Sequence, residues 1–334
     1  MLKILDIITP RENVLILLYD IVLIFIFFRF FKFIYTNFIR KPKNLIDRYG
    51  KNSYVLITGA TDGIGKQYCF SFAERNFNLI MVSRNMEKLL NVKKEILLKY
   101  NNIDIITIQY DFSKKTSFKE YNDNFGNNLQ TKYDISVLIN NVGISHEDYF
   151  KTLDLNNLQS DYNNNSAYTI HDYLNVNCLS QTILTKLFMH KMDKRSKKCA
   201  IITMSSIAAN VYPYTGNAIY SATKAYNDFL SRALYGEYNY ERGNIDFLSV
   251  KPSYVESNMS QMKADGFDCI TAKKFVDSTL SELGYTCHTV GHICHKVQAL
   301  IVEISPDILR RYFFKSAKIK EEKLQARHQN KKSN

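Results

Sequence analysis

Short, unbroken apolar runs alternate with helical segments through most of this 334-residue chain, and this alternation limits the fold more than any other feature. Each run holds six or seven residues, which is typical of a strand buried on both faces. The runs predict strands over 53–58, 78–83, 104–110, 135–140, 199–205 and 245–250. Helical segments lie near 63–76, 86–99, 169–193 and 218–240. The alternation predicts an α/β fold, a doubly wound parallel sheet in a single domain.

The segment from Val14 to Ile34 is apolar enough to act as an N-terminal membrane anchor. A bilayer core of about 30 Å needs about 20 mostly apolar helical residues, and this segment just meets that length. Asp20 interrupts it at a cost of about 3 kcal/mol, so a shallow hairpin or an interfacial helix stays open beside a full span. A cleaved signal peptide fits less well, because no run of small residues follows the apolar core. A buried core helix is the remaining alternative.

The net charge of +12 is concentrated near the two ends of the chain. Residues 29–51 carry +6 and residues 315–334 carry +5, whereas 52–314 carry only +2. A protein that binds duplex nucleic acid needs a basic face on its folded core, so we expect no nucleic-acid partner. By the positive-inside tendency, the basic cluster directly after the apolar segment predicts that the rest of the chain is cytosolic.

These features divide the chain into four parts. We predict a membrane anchor over 1–39, a basic linker over 40–52, a folded domain over 53–296, and an apolar helix with a basic tail over 297–334. The six cysteines form no CxxC pair, which suits a reducing compartment without a disulfide framework. Sequons at Asn164 and Asn258 would be unused on the cytosolic side.

A glycine-rich turn follows the first predicted strand and leads directly into a helix. It reads Thr58-Gly59-Ala60-Thr61-Asp62-Gly63-Ile64-Gly65. Glycines let the backbone turn sharply and approach a pyrophosphate, while the helix N-terminus supplies amide donors and a positive dipole. The spacing differs from G-x-G-x-x-G, and it fits the phosphate loop of NTPases worse, because Ala60 stands where that loop needs its first glycine. A βα turn without a ligand is the alternative.

The second predicted strand ends in Ser83-Arg84, where a dinucleotide-binding domain contacts the adenosine ribose. An acidic residue at this place would bind the 2′-hydroxyl of NAD. Arg84 instead offers a cationic partner for the 2′-phosphate of NADP. An exposed arginine after a strand is also common in proteins that bind no nucleotide.

Tyr220 and Lys224 lie near the start of the helical segment at 218–240 and share one of its faces, because they are four residues apart. A nearby ammonium lowers the pKa of a phenol, which predicts that Tyr220 acts as a general acid or base closer to neutral pH. Ser206 follows the fifth strand and would donate a hydrogen bond where charge develops on a substrate oxygen. A second Tyr-x-x-x-Lys pair, at Tyr110, straddles a strand end and has no serine at the right distance upstream, so we treat it as a chance match.

Together and in this order, the motifs resemble the short-chain dehydrogenase/reductase family over about residues 50–300. The resemblance implies a Rossmann-type NADP-binding domain that uses NADPH. It implies a catalytic set of Asn177, Ser206, Tyr220 and Lys224, with Asn177 in a proton relay and Lys224 also on the ribose. It implies cofactor contacts from Thr58, Gly59, Gly63, Ile64, Gly65, Ser83, Arg84, Asp111, Asn141, Tyr220, Lys224, Pro252, Val255 and Ser257.

Within that set, the resemblance places Asp111 near the adenine and Pro252 with Ser257 in the segment that holds the nicotinamide carboxamide. The sequence departs from the family pattern at three places. The interval between Ser206 and Tyr220 is one residue longer than usual, which leaves Ser205 as the neighbouring alternative. Val142 replaces an alanine, and Ser253 stands where many members have glycine.

Several segments, among them TGATDGIGK, NNVGIS and IYSATKAYNDF, look like a membrane-bound branch of this family. The branch contains very-long-chain 3-oxoacyl-CoA reductases and their 17-beta-hydroxysteroid dehydrogenase relatives. It implies NADPH-dependent reduction of the 3-keto group of a long-chain 3-oxoacyl-CoA in fatty-acid elongation, with an anchor in membrane lipid. A steroid ketone reductase is the alternative, and a membrane-bound scaffold without catalysis is a further one. Other elongation enzymes and a second copy of the chain, as a homodimer, stay open as partners.

Lys331 and Lys332 stand at the fourth and third positions from the end of the sequence. This arrangement matches the dilysine retrieval signal of endoplasmic-reticulum membrane proteins. We therefore expect an endoplasmic-reticulum membrane protein with a cytosolic catalytic domain, and a basic solvated tail is the alternative reading of the lysines.

A cluster of metal-ligand residue types lies late in the chain: Cys287, His288, His292, Cys294 and His295. No second ligand group with metal-site spacing lies nearby, so we expect no metal. The alternation over 290–295 instead predicts the last strand of the sheet.

Overall fold

The computed structural model describes residues 10–114, 117–145, 169–209, 216–240 and 243–304. The predictions for the basic tail, for Lys331 and Lys332, and for the Asn164 sequon lie outside these ranges. The chain divides into two compact units, Met1–Pro42 and Lys43–Asn334.

The first unit is a long apolar helix. Helix α1 (Pro10–Ile34) continues into a π-helical turn over Tyr35–Ile39. The stretch Val14–Ile39 is long and apolar enough to cross a membrane. Its apolar side chains are exposed, Ile24 for example by 67%, which is the opposite of a buried core helix.

The second unit contains the six strands that the alternating pattern predicted, together with further short strands and helices. The strands are β1 (Tyr54–Thr58), β2 (Asn78–Ser83), β3 (Ile105–Gln109), β4 (Ile135–Asn140), β5 (Cys199–Met204), β6 (Ile245–Val250), β7 (Tyr254–Val255), β8 (Cys269–Ile270) and β9 (His288–Thr289). The helices are α2 (Leu45–Tyr49), α3 (Gly63–Ala73), α4 (Met86–Leu97), α5 (Phe118–Tyr121), α6 (Asn127–Lys132), α7 (Ile170–Tyr173), α8 (Ser180–Asp193), α9 (Ala218–Tyr240), α10 (Ala272–Glu282) and α11 (Ile293–Ile304).

Seven of these strands form one parallel sheet in the order β3-β2-β1-β4-β5-β6-β9, which confirms the predicted doubly wound fold. Alternate residues of each central strand enter opposite layers of the core, as Val55 and Leu56 do. Helices α3, α4 and α10 contribute to one layer, and α8 contributes to the other. The order reverses between β1 and β4, so the carboxyl ends of these strands border the crevice where such sheets bind ligands.

Two stretches differ from the prediction. The last strand is His288–Thr289, so the strand expected over 290–295 is wrong. Gly291 has φ +77°, its amide donates to Thr289 Oγ1, and α11 starts two residues later. A left-handed backbone cannot continue a strand, so the turn at Gly291 ends the pairing.

The stretch 40–52, expected to be a linker, contains the short helix α2. The side chain of Asn44 caps it by accepting from two backbone amides of its first turn. Tyr49 is completely buried, and its hydroxyl donates to Asp246 at the start of β6. Arg48 makes a two-pronged ion pair with the same carboxylate, at 2.6 and 2.8 Å. These contacts fasten the beginning of the second unit to its sheet.

Candidate active site

A cleft of about 440 Å³ opens at the carboxyl ends of the central strands, beside the β1–β4 reversal. Twelve of the predicted site residues line it: Gly59, Gly63, Ile64, Gly65, Ser83, Arg84, Asp111, Asn141, Tyr220, Lys224, Pro252 and Ser257. Residues far apart in the sequence therefore meet in one cleft.

The glycine turn after β1 is too tight to accept side chains at its glycines. Gly59 and Gly63 have φ +67° and φ +50°, in the left-handed region that favours glycine. A Cβ atom on Gly65 would lie 2.1 Å from the Gly59 carbonyl oxygen. The N-cap residue of α3, Asp62, directs its carboxylate to the Asn258 amide at 2.9 Å and makes no side-chain cap to the helix. The amides of the first helical turn therefore remain available to an anion in the cleft.

Thr58, predicted to contact a cofactor, is completely buried beneath the turn. Its hydroxyl accepts from the amides of Asn141 and Val142, both at 3.0 Å, and donates to the Ile139 carbonyl. The Asn141 side chain donates in return to the carbonyl of Thr58 at 2.9 Å. These contacts tie the ends of β1 and β4 together, so Thr58 shapes the floor of the turn.

The end of β2 forms the next wall of the cleft. The Ser83 hydroxyl lies 3.1 Å from that of Thr61, which fixes the turn against this strand. Arg84 is exposed at the cleft, with its backbone carbonyl held by the Gln109 side chain. Asp111 caps a turn by accepting from the amide and hydroxyl of Ser113, at 3.0 and 2.8 Å.

Tyr220 and Lys224 face the cleft from successive turns of α9. The Lys224 ammonium lies 5.7 Å from the centroid of the Tyr220 ring and donates to the Met204 carbonyl at 3.0 Å. A Cβ atom on Gly143 would lie 3.1 Å from the same ammonium. The absence of a side chain at Gly143 therefore leaves room for Lys224 at the cleft.

Burial shifts the pKa values of both Tyr220 and Lys224. It raises the pKa of Tyr220, while a hydrogen bond with Ser206 opposes this. It lowers the pKa of Lys224 to about 8. The sequence predicted that the pKa of Tyr220 is lowered, and the net direction here is the opposite, because the removal of water from the phenolate outweighs the effect of Ser206.

The two candidate serines have different partners. Ser206 lies near enough to the Tyr220 side chain to lower its pKa, and its hydroxyl accepts from the Ala208 amide at 3.2 Å. Ser205 donates to the Lys224 carbonyl at 2.6 Å and so anchors α9 to the end of β5. The geometry therefore favours Ser206 as the serine that acts beside Tyr220.

Asn177 lies behind the cleft, completely buried in a π-helical turn over Leu174–Leu179. Its side chain accepts from the Ile144 amide at 2.8 Å and donates to the Ile144 carbonyl and to the Thr223 hydroxyl, both at 3.0 Å. A π-helical turn shifts the side chains that follow it, and such turns recur at functional sites. Asn177 thus links the loop after β4 to α9.

The segment after β6 closes the cleft from the opposite side. Pro252 and Ser257 line it, and the Ser257 Cβ atom comes within 2.7 Å of where a side chain on Gly63 would stand. Val255, predicted to contact the cofactor, is buried in the core and pairs with Ile270 of β8. Val255 therefore supports the segment from behind.

Sequence reasoning missed several residues of the cleft. Thr61, Asp62, Gly143, Ile144, Ser145, Asn258 and Met259 also line it. Gly143 carried a usable signal, because a glycine in the short loop after a strand indicates a close approach of the backbone to another group. The others sit in loops whose paths depend on tertiary contacts.

The late Cys and His residues are not gathered around one point. In the ranges that the structure describes, no group of three or more His, Cys, Asp and Glu side chains is placed to hold a metal ion. His288 is exposed in β9, whereas His295 is completely buried in α11.

The chain is similar to known proteins over most of its second unit. Residues 53–266 match the family model of the short chain dehydrogenases. A very-long-chain 3-oxoacyl-CoA reductase of Caenorhabditis briggsae is 34% identical over 80% of each chain. A putative steroid dehydrogenase of Caenorhabditis elegans is 32% identical over 86% of this chain and 88% of its own. A short-chain dehydrogenase from Sphingobium yanoikuyae, solved with NADPH, superimposes with a TM-score of 0.57 at 23% identity, over 69% of this chain and 84% of its own.

Proposed function

Because this chain belongs to the short-chain dehydrogenase family, we propose that it is an oxidoreductase that reduces the 3-keto group of long-chain and very-long-chain 3-oxoacyl-CoA with NADPH, in fatty-acid elongation. The observation that carries the substrate class is the 34% identity over 80% of both chains to a reductase of that name. Tyr220 and Lys224 line one cleft, and Ser206 lies near enough to Tyr220 to act on its pKa, which supports the reaction type.

The glycine turn fits a dinucleotide on geometric grounds. Gly65 leaves a space that any Cβ would fill, and the uncapped amides of α3 face the same cleft. Those amides suit a pyrophosphate, which gains both hydrogen bonds and the positive end of the helix dipole. Arg84 would then pair with the 2′-phosphate that distinguishes NADP from NAD.

When bound, NADPH supplies the hydride that reduces C3 of the substrate. Tyr220 donates its phenolic proton to the carbonyl oxygen as negative charge develops there. Ser206, which acts on the pKa of the same phenol, donates to that substrate oxygen, which orients the carbonyl and stabilises the charge. The raised pKa of Tyr220 suits a group that must hold its proton until the substrate oxygen needs it.

Lys224 supplies a positive charge next to the phenolate that this transfer leaves behind. With a pKa of about 8, its ammonium is mostly charged at neutral pH and still gives up a proton readily. Asn177 holds the loop that contains Ile144 beside α9. In this proposal it also belongs to the relay through which Tyr220 regains a proton.

The described part of the chain contains one apolar helix long enough to cross a membrane, and we place the protein in the endoplasmic-reticulum membrane with its catalytic unit in the cytosol. The basic cluster after the helix supports this orientation. A membrane anchor keeps the site near membrane-borne acyl substrates. We extend the proposal to contacts with membrane lipid and with other elongation enzymes, and to a homodimer.

Detergent-solubilised full-length protein, incubated with NADPH and a long-chain 3-oxoacyl-CoA, provides the direct test. We expect NADPH oxidation and a 3-hydroxyacyl-CoA product. If NADPH binds but no 3-oxoacyl-CoA of any tested length is reduced, the substrate assignment is wrong. A protein that binds neither would instead act as a non-catalytic scaffold.

A steroid ketone is the second candidate substrate, favoured by the similarity to a putative steroid dehydrogenase over 86% of the chain. The same assay with a 17-ketosteroid separates the two candidates. Higher kcat/KM for the steroid than for every acyl-CoA would assign the chain to steroid reduction.

A further inference from the structure

His295 is a buried histidine that the reaction described above does not use. It lies in the first turn of α11, its side chain is fully buried, and its ring centroid is 5.6 Å from that of Phe275. A buried imidazole needs partners for both ring nitrogens, since each unpaired polar group costs free energy.

Both ring nitrogens meet the backbone of one segment. Nδ1 lies 3.4 Å from the Ser253 amide, which donates to it, so Nδ1 carries no proton. The proton is then on Nε2, which donates to the Tyr254 carbonyl at 3.2 Å. His295 therefore satisfies two consecutive peptide groups with a single ring.

The surroundings keep the ring neutral. Burial lowers the pKa of His295 to about 4, and the hydrogen bond to the Tyr254 carbonyl only partly opposes this. A neutral imidazole offers one donor and one acceptor, the pair that these peptide groups require.

The segment held by His295 belongs to the cleft. Pro252 lines the cleft. Its carbonyl accepts at 2.9 Å from the amide of Ile207, which is the residue after Ser206. Tyr254, whose carbonyl accepts from His295, is near enough to raise the pKa of Tyr220. A shift of this segment would therefore change the surroundings of both Ser206 and Tyr220.

We propose that His295 is a positioning residue for the cofactor, which holds Ser253 and Tyr254 so that Pro252 and Ser257 keep their places in the cleft. The inference rests on the NADPH-binding part of the proposed function and is independent of the substrate. It assigns to His295 a role in holding this wall of the cleft in place.

Cofactor affinity of the full-length protein tests this, measured as the Kd of NADPH from its fluorescence on binding. His295→Leu removes both hydrogen bonds at similar bulk, and we expect Kd to rise by about tenfold, equivalent to about 1.4 kcal/mol. His295→Gln keeps an amide donor and acceptor and should recover most of the affinity. His190→Leu, at an exposed histidine of α8, is the matched control and should leave Kd unchanged.

A melting curve accompanies each variant, so that loss of folded protein is not mistaken for loss of affinity. If His295→Leu does not fold, His295→Phe keeps an aromatic ring beside Phe275 and is measured instead. A Kd of the folded Leu or Phe variant within about twofold of the original would overturn the positioning role. The experiment measures NADPH binding and not turnover. A negative 3-oxoacyl-CoA assay would therefore leave the conclusion about His295 unchanged.

Discussion

Lys224 and Tyr220 lie side by side on α9, with the ammonium 5.7 Å from the centroid of the phenol ring, and burial displaces their pKa values in opposite directions. The pKa of the phenol rises and that of the ammonium falls to about 8, because both charged forms lose water. At neutral pH the pair holds a protonated phenol beside a mostly charged lysine. This is the state that proton donation to a ketone requires.

The first prediction concerns pH. We expect kcat/KM for NADPH in the reductive direction to fall as pH rises through about 8, since Lys224 then loses its charge. Initial rates from about pH 6 to about pH 10 measure this fall in kcat/KM. A profile that stays flat across that range would show that the charge on Lys224 is not needed.

Loss of folded protein would not explain such a fall in kcat/KM with rising pH. The pKa of Lys224 is lower in the folded chain than its usual 10.5, so the unfolded chain binds more protons between these values. Stability linked to Lys224 therefore increases with pH over this window. Circular dichroism at each pH is the control.

The second prediction concerns the proton donor. Tyr220→Phe removes the phenolic proton, and we expect kcat to fall by about 10² to 10⁴ with little change in NADPH affinity. Tyr226→Phe is the matched control on the same helix, because its hydroxyl contacts Thr182 at 2.8 Å near the surface. Equal activities of the two variants in a turnover assay would remove Tyr220 from the mechanism.

The third prediction concerns cofactor choice. Arg84→Ala should raise the Kd of NADPH by about tenfold or more while leaving that of NADH nearly unchanged, because a charge-assisted contact to the 2′-phosphate is worth about 1.5–3 kcal/mol. Lys88→Ala, at an exposed lysine of α4, controls for general loss of positive charge. Parallel losses for both nucleotides would argue against a 2′-phosphate contact.

The fourth prediction compares two glycines. Gly65→Ala places a Cβ atom 2.1 Å from the Gly59 carbonyl oxygen and should abolish measurable NADPH binding or prevent folding. In Gly236→Ala, the new Cβ has nothing within 4 Å, and a helix interior gains about 0.5–1 kcal/mol from this change. Thermal melting together with NADPH titration measures both effects, and full affinity in Gly65→Ala would contradict the tight turn.

The fifth prediction concerns orientation. Asn258 begins a sequon and is exposed at the cleft, so a luminal catalytic unit would carry a glycan there. We expect glycosidase treatment of the protein from a eukaryotic host to leave its electrophoretic mobility unchanged. Asn258→Gln provides the matched control for any shift. A glycan on Asn258 would place the unit in the lumen.

Much of the fold could be predicted because the strands of a parallel sheet are buried on both faces, which demands apolar runs that are visible in sequence. The six predicted strands agree with β1 to β6 to within one residue at either end. The short pairs β7–β8 and β6–β9 left no such trace. In β9 only two residues pair before Gly291 turns the chain.

The candidate site divides in the same way. Motif residues such as Gly65, Tyr220 and Lys224 could be found from local spacing, because a turn and one helix face fix their relations within a few residues. The burial of Thr58 depends on contacts with a strand about eighty residues away. No local pattern encodes such a contact.

By itself, the sequence determined the doubly wound sheet, the long apolar N-terminal helix and the residue types at the cleft, since each rests on periodicity, composition or short spacing. Only the tertiary structure decided which serine faces Tyr220, how burial displaces the pKa values at the cleft, and that His295 holds the Ser253–Tyr254 backbone. Desolvation and hydrogen bonds between distant segments exist only once the sheet and its helices have packed.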